Sequence, residues 1–287
     1  MKKTRFSENL FAKMMLFSII AFLLIFLSGQ NQFEFVSSAP RVTDNYEQVV
    51  DYEDEEDGLI DEGEAEMEEP ELAVEPEKEE VEWPERVAFL TFDDGPSRHT
   101  LDLLAILAEL DVPAMFFVIG QHITDNLTAN EAILQQILAD GHYVGLHSMT
   151  HSYQNLYDGD EAPARFVAEM VANQALIYEL TGHFTNLCRA PFGMRASFSP
   201  EHFEEVAAAD INCVDWNVDP RDWFYRDSQI IYQNIREQVS GSDFPSEIII
   251  VLHEYSWTLE ALPDIITFLR DNDYVFKIYT PGFEFNY

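Results

Sequence analysis

From Glu85 onward, short apolar runs alternate with stretches whose apolar residues recur at helical spacing. That rhythm constrains the fold more than any other feature of the chain. Runs of strand length fall at 87–92, 114–119, 143–146, 184–189, 211–214, 247–252 and 275–279. Helical periods fall at 100–110, 129–140, 165–181, 200–209, 228–239 and 259–272, two of them ended by Gly141 and Gly182. On the first helix, Leu101, Leu104, Ala105 and Ala108 are expected to form the core face. Strand and helix in alternation predict an α/β fold, a parallel sheet with helices outside. About seven strands in roughly 200 residues suit a (β/α) barrel better than an open sheet. In such folds the functional site lies at the carboxyl ends of the strands.

The chain before Glu85 has another texture. Lys2, Lys3, Arg5 and Lys13 flank an apolar run at 14–27. That run has signal-peptide length and falls short of the ~20 residues that span a bilayer comfortably. Residues 1–30 therefore read as a signal peptide or a membrane anchor. The candidate cleavage points near Ser38 and Ala39 are poor, so the anchor stays open. In either case the positive flank stays inside and the remainder is exported. Residues 31–84 read as an acidic disordered linker. Twenty-one acidic residues at 44–85 face only Lys78, with no apolar period. The domain at 85–287 holds the core. The chain as a whole is 47% hydrophobic, with a formal net charge of -37. That charge argues against nucleic acid and anionic lipid as partners.

Five of the expected strands deliver ionisable groups to one rim. Asp93-Asp94-Gly95-Pro96 follows the first, and His147-Ser148-Met149-Thr150-His151 the third. Arg189-Ala190-Pro191-Phe192-Gly193 follows the fourth. The fifth is followed by a stretch from Asp215 to Trp223, the sixth by His253-Glu254. Successive strand residues face opposite ways, so Asp93 and Asp94 share a site only if the strand is broken. Gly95-Pro96 reads as that break. His147 and His151 are spaced i, i+4, a spacing that could place both on one helix face. Two imidazoles and a carboxylate make an open transition-metal site; the bland alternative is a pair of polar rim residues. His142 precedes its strand and reads as structural. Cys188 and Cys213 read equally well as a disulfide or as two buried thiols.

In this order the clusters resemble the polysaccharide deacetylase family, the NodB-homology carbohydrate esterases of family 4. The motifs are Thr91-Phe92-Asp93-Asp94-Gly95, His147-Ser148-Met149-Thr150-His151, Arg189-Ala190-Pro191-Phe192, Asp219-Pro220-Arg221-Asp222-Trp223 and Val251-Leu252-His253. The resemblance runs from Glu85 to about Thr280. It implies a distorted (β/α) barrel of about seven parallel strands and metal-dependent N-deacetylation of an N-acetylated glycan. Asp94, His147 and His151 would then hold a divalent ion, zinc first, with Co2+ or Mn2+ as alternatives. Asp93 would be the base and His253 the acid. Asp222 would orient His253, and Arg189 would pair with Asp93. The backbone N–H of Phe192 would face the oxyanion. Trp223 and Val251 would line a slot for the acetyl methyl. Asp215 and Asp219 are expected outside the reacting set, with Asp219 fixing the loop before Pro220.

Three positions depart from the family pattern: Leu146 before the first metal histidine, Phe192 in place of a common Tyr, and Glu254 in place of a common Asp. None removes a catalytic group. The favoured substrate is peptidoglycan N-acetylglucosamine, because the chain would be tethered beside the wall, at the outer membrane face or secreted to the wall. N-acetylmuramic acid, chitin oligomers and xylan are alternatives. The protein is expected to act as a monomer. A catalytically silent glycan-binding domain of the same fold is the reading from another class, and it leaves a complete acid and base set unexplained. A phosphoesterase is disfavoured by the acidic charge and the apolar slot.

Overall fold

Strand β1 (Val87–Gly95) organises the domain because both its faces are buried. Val87 and Phe89 pack with Met115, Phe117, Tyr143, Leu187 and Ile249 in one cluster. Ala88, Leu90 and Phe92 pack with Phe116, Val118, Val144 and Leu252 in another. Burial on both faces explains why the run reads as nearly continuous apolar sequence. The computed structural model describes residues 86–240 and 246–285. The signal or anchor expected at 1–30 and the linker expected at 31–84 lie outside the described residues. Among the described residues, no helix is long and apolar enough to cross a membrane.

The other strands are β2 (Met115–Val118), β3 (Tyr143–Leu146), β4 (Leu187–Cys188), β5 (Asn212–Cys213), β6 (Glu247–His253) and β7 (Val275–Phe276). All pair in parallel, in the order β5-β4-β3-β2-β1-β6, and β7 joins the start of β1. The end strands β5 and β6 do not form a ladder with each other. Instead Val218, in the stretch after β5, bridges Ile250 of β6. The Val218 N–H donates to Ile249 O, and the Val251 N–H to Val218 O, each at 3.1 Å. One bridge closes the seam, so the barrel is distorted, as expected. The Val87–Phe89 cluster fills its interior, and the larger cluster lies between sheet and helices.

The helices are α1 (Thr100–Glu109), α2 (Gly120–Asp125), α3 (Leu127–Ala139), α4 (Tyr153–Tyr157), α5 (Ala162–Thr181), α6 (Met194–Ser197), α7 (Pro200–Ala208), α8 (Asp222–Tyr225), α9 (Ser228–Val239) and α10 (Ser256–Asp271). The α9 bounds are those the apolar period predicts. Its first turn is capped by Asp227, which accepts from the N–H groups of Gln229 and Ile230. On α1 the expected face is corrected. Thr100, Leu103, Leu104 and Leu107 are buried, whereas Leu101 is 57% exposed. Two stripes overlap there, and the one with more leucine side chains removes more apolar area from water than the one with alanines.

Three strands pair over only two residues each, far short of the expected runs: β4, β5 and β7. Of the expected runs only Leu187–Cys188, Asn212–Cys213 and Val275–Phe276 pair; β5 is a sheet edge whose sole ladder neighbour is β4, and β7 pairs only with the start of β1. Cys188 and Cys213 are direct register partners on β4 and β5 and form a disulfide. That settles the choice between a bridge and two free thiols.

Candidate active site

The interior column of β1 runs Val87, Phe89, Thr91, Asp93, so Asp93 points into the barrel and is 3% exposed. Regular alternation would send Asp94 to the helix side. The ladder to β2 slips there: Asp93 pairs with Phe117, and Gly95, two residues on, with the very next residue, Val118. Asp94 adopts φ 66°, and this bulge turns its carboxylate back toward the rim. The expectation that Gly95-Pro96 breaks the strand is therefore corrected, since the break is at Asp94 and β1 continues to Gly95. The cis Gly95-Pro96 bond follows it. Gly95 serves close approach instead. A Cβ there would run into the carboxylate of the buried Glu254.

His147 and His151 do not lie on a helix. They occupy the turn between β3 and α4, with Ser148 (φ 64°) and His151 (φ 51°) in the left-handed region. That turn, not helical spacing, brings their Nε2 atoms 3.4 and 3.3 Å from Asp94 Oδ1. One ligand atom from each residue lies within 4.8 Å of the others. The His147 Nδ1–H donates to Arg189 O at 2.8 Å, so Nε2 is the atom turned toward Asp94; burial works to lower this imidazole, but in the metal-free protein Asp93 and then Asp94 outweigh it and push it up. Asp94 Oδ1 is itself buried and accepts no hydrogen bond. Lone pairs converging on an orphaned carboxylate oxygen are a fit for a divalent cation. Burial works to raise the Asp94 carboxyl, but His147, His151 and His253 hold it below the usual carboxylate range. Burial and then the neighbouring His147 push His151 down, which favours the neutral form a metal needs.

Arg189 is completely buried at the end of β4. Its Nη1 lies 3.2 Å from Asp93 Oδ1 and also donates to the Thr91 hydroxyl. Nε and Nη2 donate to the carbonyls of Val214 and Asp215 at 3.3 and 3.2 Å. The guanidinium lies over the Phe117 ring, 4.5 Å from its centroid. Its hydrogen-bond partners come from β1 and from the stretch after β5 and its ring partner from β2, so Asp93 is held on a rigid mount.

Across the rim, His253 Nδ1 lies 2.8 Å from Asp222 Oδ1, and Nε2 faces Asp94 Oδ2 at 3.9 Å. Asp222 is fully buried and saturated. It also accepts from the N–H groups of His253 and Trp223 and from the Thr258 hydroxyl. Burial works to lower His253, but Asp222, then Asp93 and Asp94, outweigh it and push it up to about 9. The imidazole is therefore poised to hold a proton.

These groups line a cavity of about 480 Å³ with Phe192, Trp216, Asp219, Trp223, Val251 and Tyr255. Of the residues expected at the site, only Arg189 and Asp222 lie behind its wall rather than on it. Phe192 (φ 66°) and Gly193 (φ 82°) form a kinked loop between β4 and α6. A Cβ at Gly193 would lie 2.9 Å from the Trp216 ring, so glycine is needed for both conformation and space. Asp215, expected outside the reacting set, secures this loop by accepting from the N–H groups of Met194 and Arg195. Asp219 Oδ1 accepts from the Arg221 N–H at 2.8 Å, fixing its loop as expected, and also faces the cavity.

Sequence reasoning missed Trp216 and Tyr255, which line the cavity. Tyr255 stacks on His253 with ring centroids 5.6 Å apart. Their place directly after strands β5 and β6 was a usable signal. Reasoning also missed Glu169 and Asn173, whose signal was a polar residue on the core stripe of α5.

Residues 80–213 match the family model described as polysaccharide deacetylase. The chain is similar to a Bacillus cereus protein named peptidoglycan-N-acetylglucosamine deacetylase. The two are 32% identical over 200 residues, covering 68% of this chain and 69% of that protein. It is 30% identical over 196 residues to the putative polysaccharide deacetylase YheN of Bacillus subtilis, covering 68% and 67% of the two chains. The fold is similar to the crystal structure of the polysaccharide deacetylase Bc1974 from Bacillus cereus. The TM-score is 0.63 at 31% identity, with 70% of this chain and 95% of that chain covered.

Proposed function

Since this chain belongs to the polysaccharide deacetylase family, we propose that it removes acetyl groups from the N-acetylglucosamine of peptidoglycan, using a divalent metal, zinc by preference. The observation that carries the reading is the orphaned Asp94 Oδ1 facing two histidine Nε2 atoms, with Asp93 and His253 in the same cavity. An ion held by Asp94, His147 and His151 supplies Lewis acidity toward water and the amide carbonyl.

The remaining work falls to the chain. Asp93, fixed by Arg189, takes the proton of the attacking water. The Phe192 N–H, on a loop tied down by Asp215, donates to the oxyanion as the carbonyl becomes tetrahedral. His253 carries a proton because Asp222 stabilises the imidazolium, and it gives that proton to the leaving amine. Trp223, half exposed, and Val251, buried on β6, offer apolar walls to the acetyl methyl.

Peptidoglycan is favoured by the name of the Bacillus cereus relative. Export is supported by the apolar run at 14–27 and by the Cys188–Cys213 disulfide, which an oxidising compartment maintains. On this reading the protein acts as a monomer at the outer membrane face, or in the wall if the leader is cut. The test is acetate release from peptidoglycan and from chitin oligomers, with and without a chelator. Release that the chelator stops is expected from peptidoglycan. Release from chitin oligomers alone moves the substrate, and no release from any N-acetylated glycan removes the function.

A further inference from the structure

We propose that Glu169, on the outer helix α5, is a positioning residue that sets the geometry of the turn carrying His147 and His151 and so tunes metal affinity. The inference rests on those histidines being ligands.

Within the turn between them, the His151 N–H donates to Ser148 Oγ at 2.9 Å, and the rest of its support comes from other segments. Ser148 and His151 both lie in the left-handed region, where side-chain-bearing residues are held only by their surroundings. The N–H groups of Gly120 and Gln121 hold the Ser148 and Met149 carbonyls at 3.0 and 2.9 Å, and Glu169 takes the N–H groups that face the other way. Its Oε2 accepts from the N–H groups of Met149 and Thr150 at 3.1 and 2.9 Å. Its Oε1 accepts from the Thr150 hydroxyl at 2.8 Å and from the Asn155 side-chain amide. One turn further along α5, the Asn173 amide donates to Ser148 O at 2.9 Å and to Val118 O at 3.1 Å. Both residues sit on the core-facing stripe of α5 with Phe166, Met170 and Ile177.

A buried carboxylate in such a stripe is costly unless its oxygens are filled. Among the described residues no ion pair engages Glu169, so neutral donors from the turn and from α4 fill them. The dependence is mutual. The carboxylate needs the three N–H and O–H donors of the turn, and the turn is held in its kinked form by offering them. Glutamine at 169 would set an N–H2 group against some of those donors. Glu169 lies outside the cavity wall, so its influence on the ion passes through the backbone between the two histidines.

The test uses the full chain carrying Glu169→Gln and, separately, Thr150→Val. The readouts are the zinc dissociation constant by chelator competition, the absorption spectrum of the Co2+ form, and the melting temperature without metal. Glu169→Gln is expected to weaken zinc binding ~10–100-fold, as loss of a group supporting a metal ligand does, and to alter the Co2+ bands. Thr150→Val removes one donor and should give a smaller loss in the same direction. A folded Glu169→Gln protein with wild-type zinc affinity and Co2+ spectrum overturns the proposal. If that variant does not fold, unchanged zinc affinity in Thr150→Val overturns it. Zinc affinity is read without any glycan, so a wild-type protein that binds zinc yet releases no acetate would defeat the deacetylase reading and leave this one standing.

Discussion

Two carboxylate–histidine sets face each other across the cavity, and they are built on opposite terms. Asp222 is fully buried, and its two oxygens accept four hydrogen bonds, one of them from His253 Nδ1. Asp94 lies on the cavity wall with a buried Oδ1 that accepts none, beside two imidazole nitrogens. The saturated carboxylate can orient and charge one histidine and has no valence left for a ligand. The unsaturated one has valence left and lone pairs gathered round it. The same residue types thus form a saturated pair on one side and an unsaturated cluster on the other, and the count of available donors is what separates them.

The strongest way to break the comparison is Asp94→Ala. It removes one of three protein ligands and should abolish both zinc binding, read by calorimetry, and acetate release. The loss of affinity should exceed the ~10–100-fold typical of losing a supporting partner. Asp93→Asn should cut turnover by ~10²–10⁴-fold while zinc stays bound. Zinc lost in that variant would mean that Asp93 and Asp94 have exchanged roles. Asp222→Asn should leave zinc affinity intact and lower kcat toward ~10²-fold, with KM little changed. Weakened zinc binding there would erase the distinction between the two sides.

A subtler test is pH. In the metal-free protein His253 is pushed up to about 9 from an ordinary 6.5, with burial opposing and Asp222 leading the stabilisation. A raised pKa contributes stability that is complete below the unfolded value and is lost as pH rises through the folded one. The stability advantage of wild type over His253→Gln should therefore be flat below pH 6.5 and decline toward pH 9. Denaturant titrations across that range check it, and an advantage that grows with pH contradicts the assignment. The smallest effect on the site is expected from replacing both cysteines by alanine. Unfolding should become easier by ~2–4 kcal/mol with zinc affinity unchanged.

Much of this was legible beforehand. The α9 bounds followed from the helical period alone, and the strand ends followed from apolar runs bounded by ionisable clusters. What was not legible shares one cause. Leu101 was assigned to the core because two helical stripes overlap, and only the packing partner chooses between them. The i, i+4 spacing of His147 and His151 allows a helix as readily as the observed turn, because spacing carries no sign of backbone hand. Glu169 carries a signal in its place on the apolar stripe of α5, but the donors that make burial there tolerable come from other segments.

The sequence by itself determined which groups reach the rim, because strand length and strand ending are local properties of the chain. It determined the α/β class for the same reason. Tertiary structure decided where those groups point. A slip of the β1–β2 ladder turned Asp94 toward the histidines. Register between β4 and β5 joined Cys188 to Cys213. Donors from three segments filled Asp222 and left Asp94 open. Register and donor supply depend on contacts between residues far apart in the chain, and no local pattern encodes them.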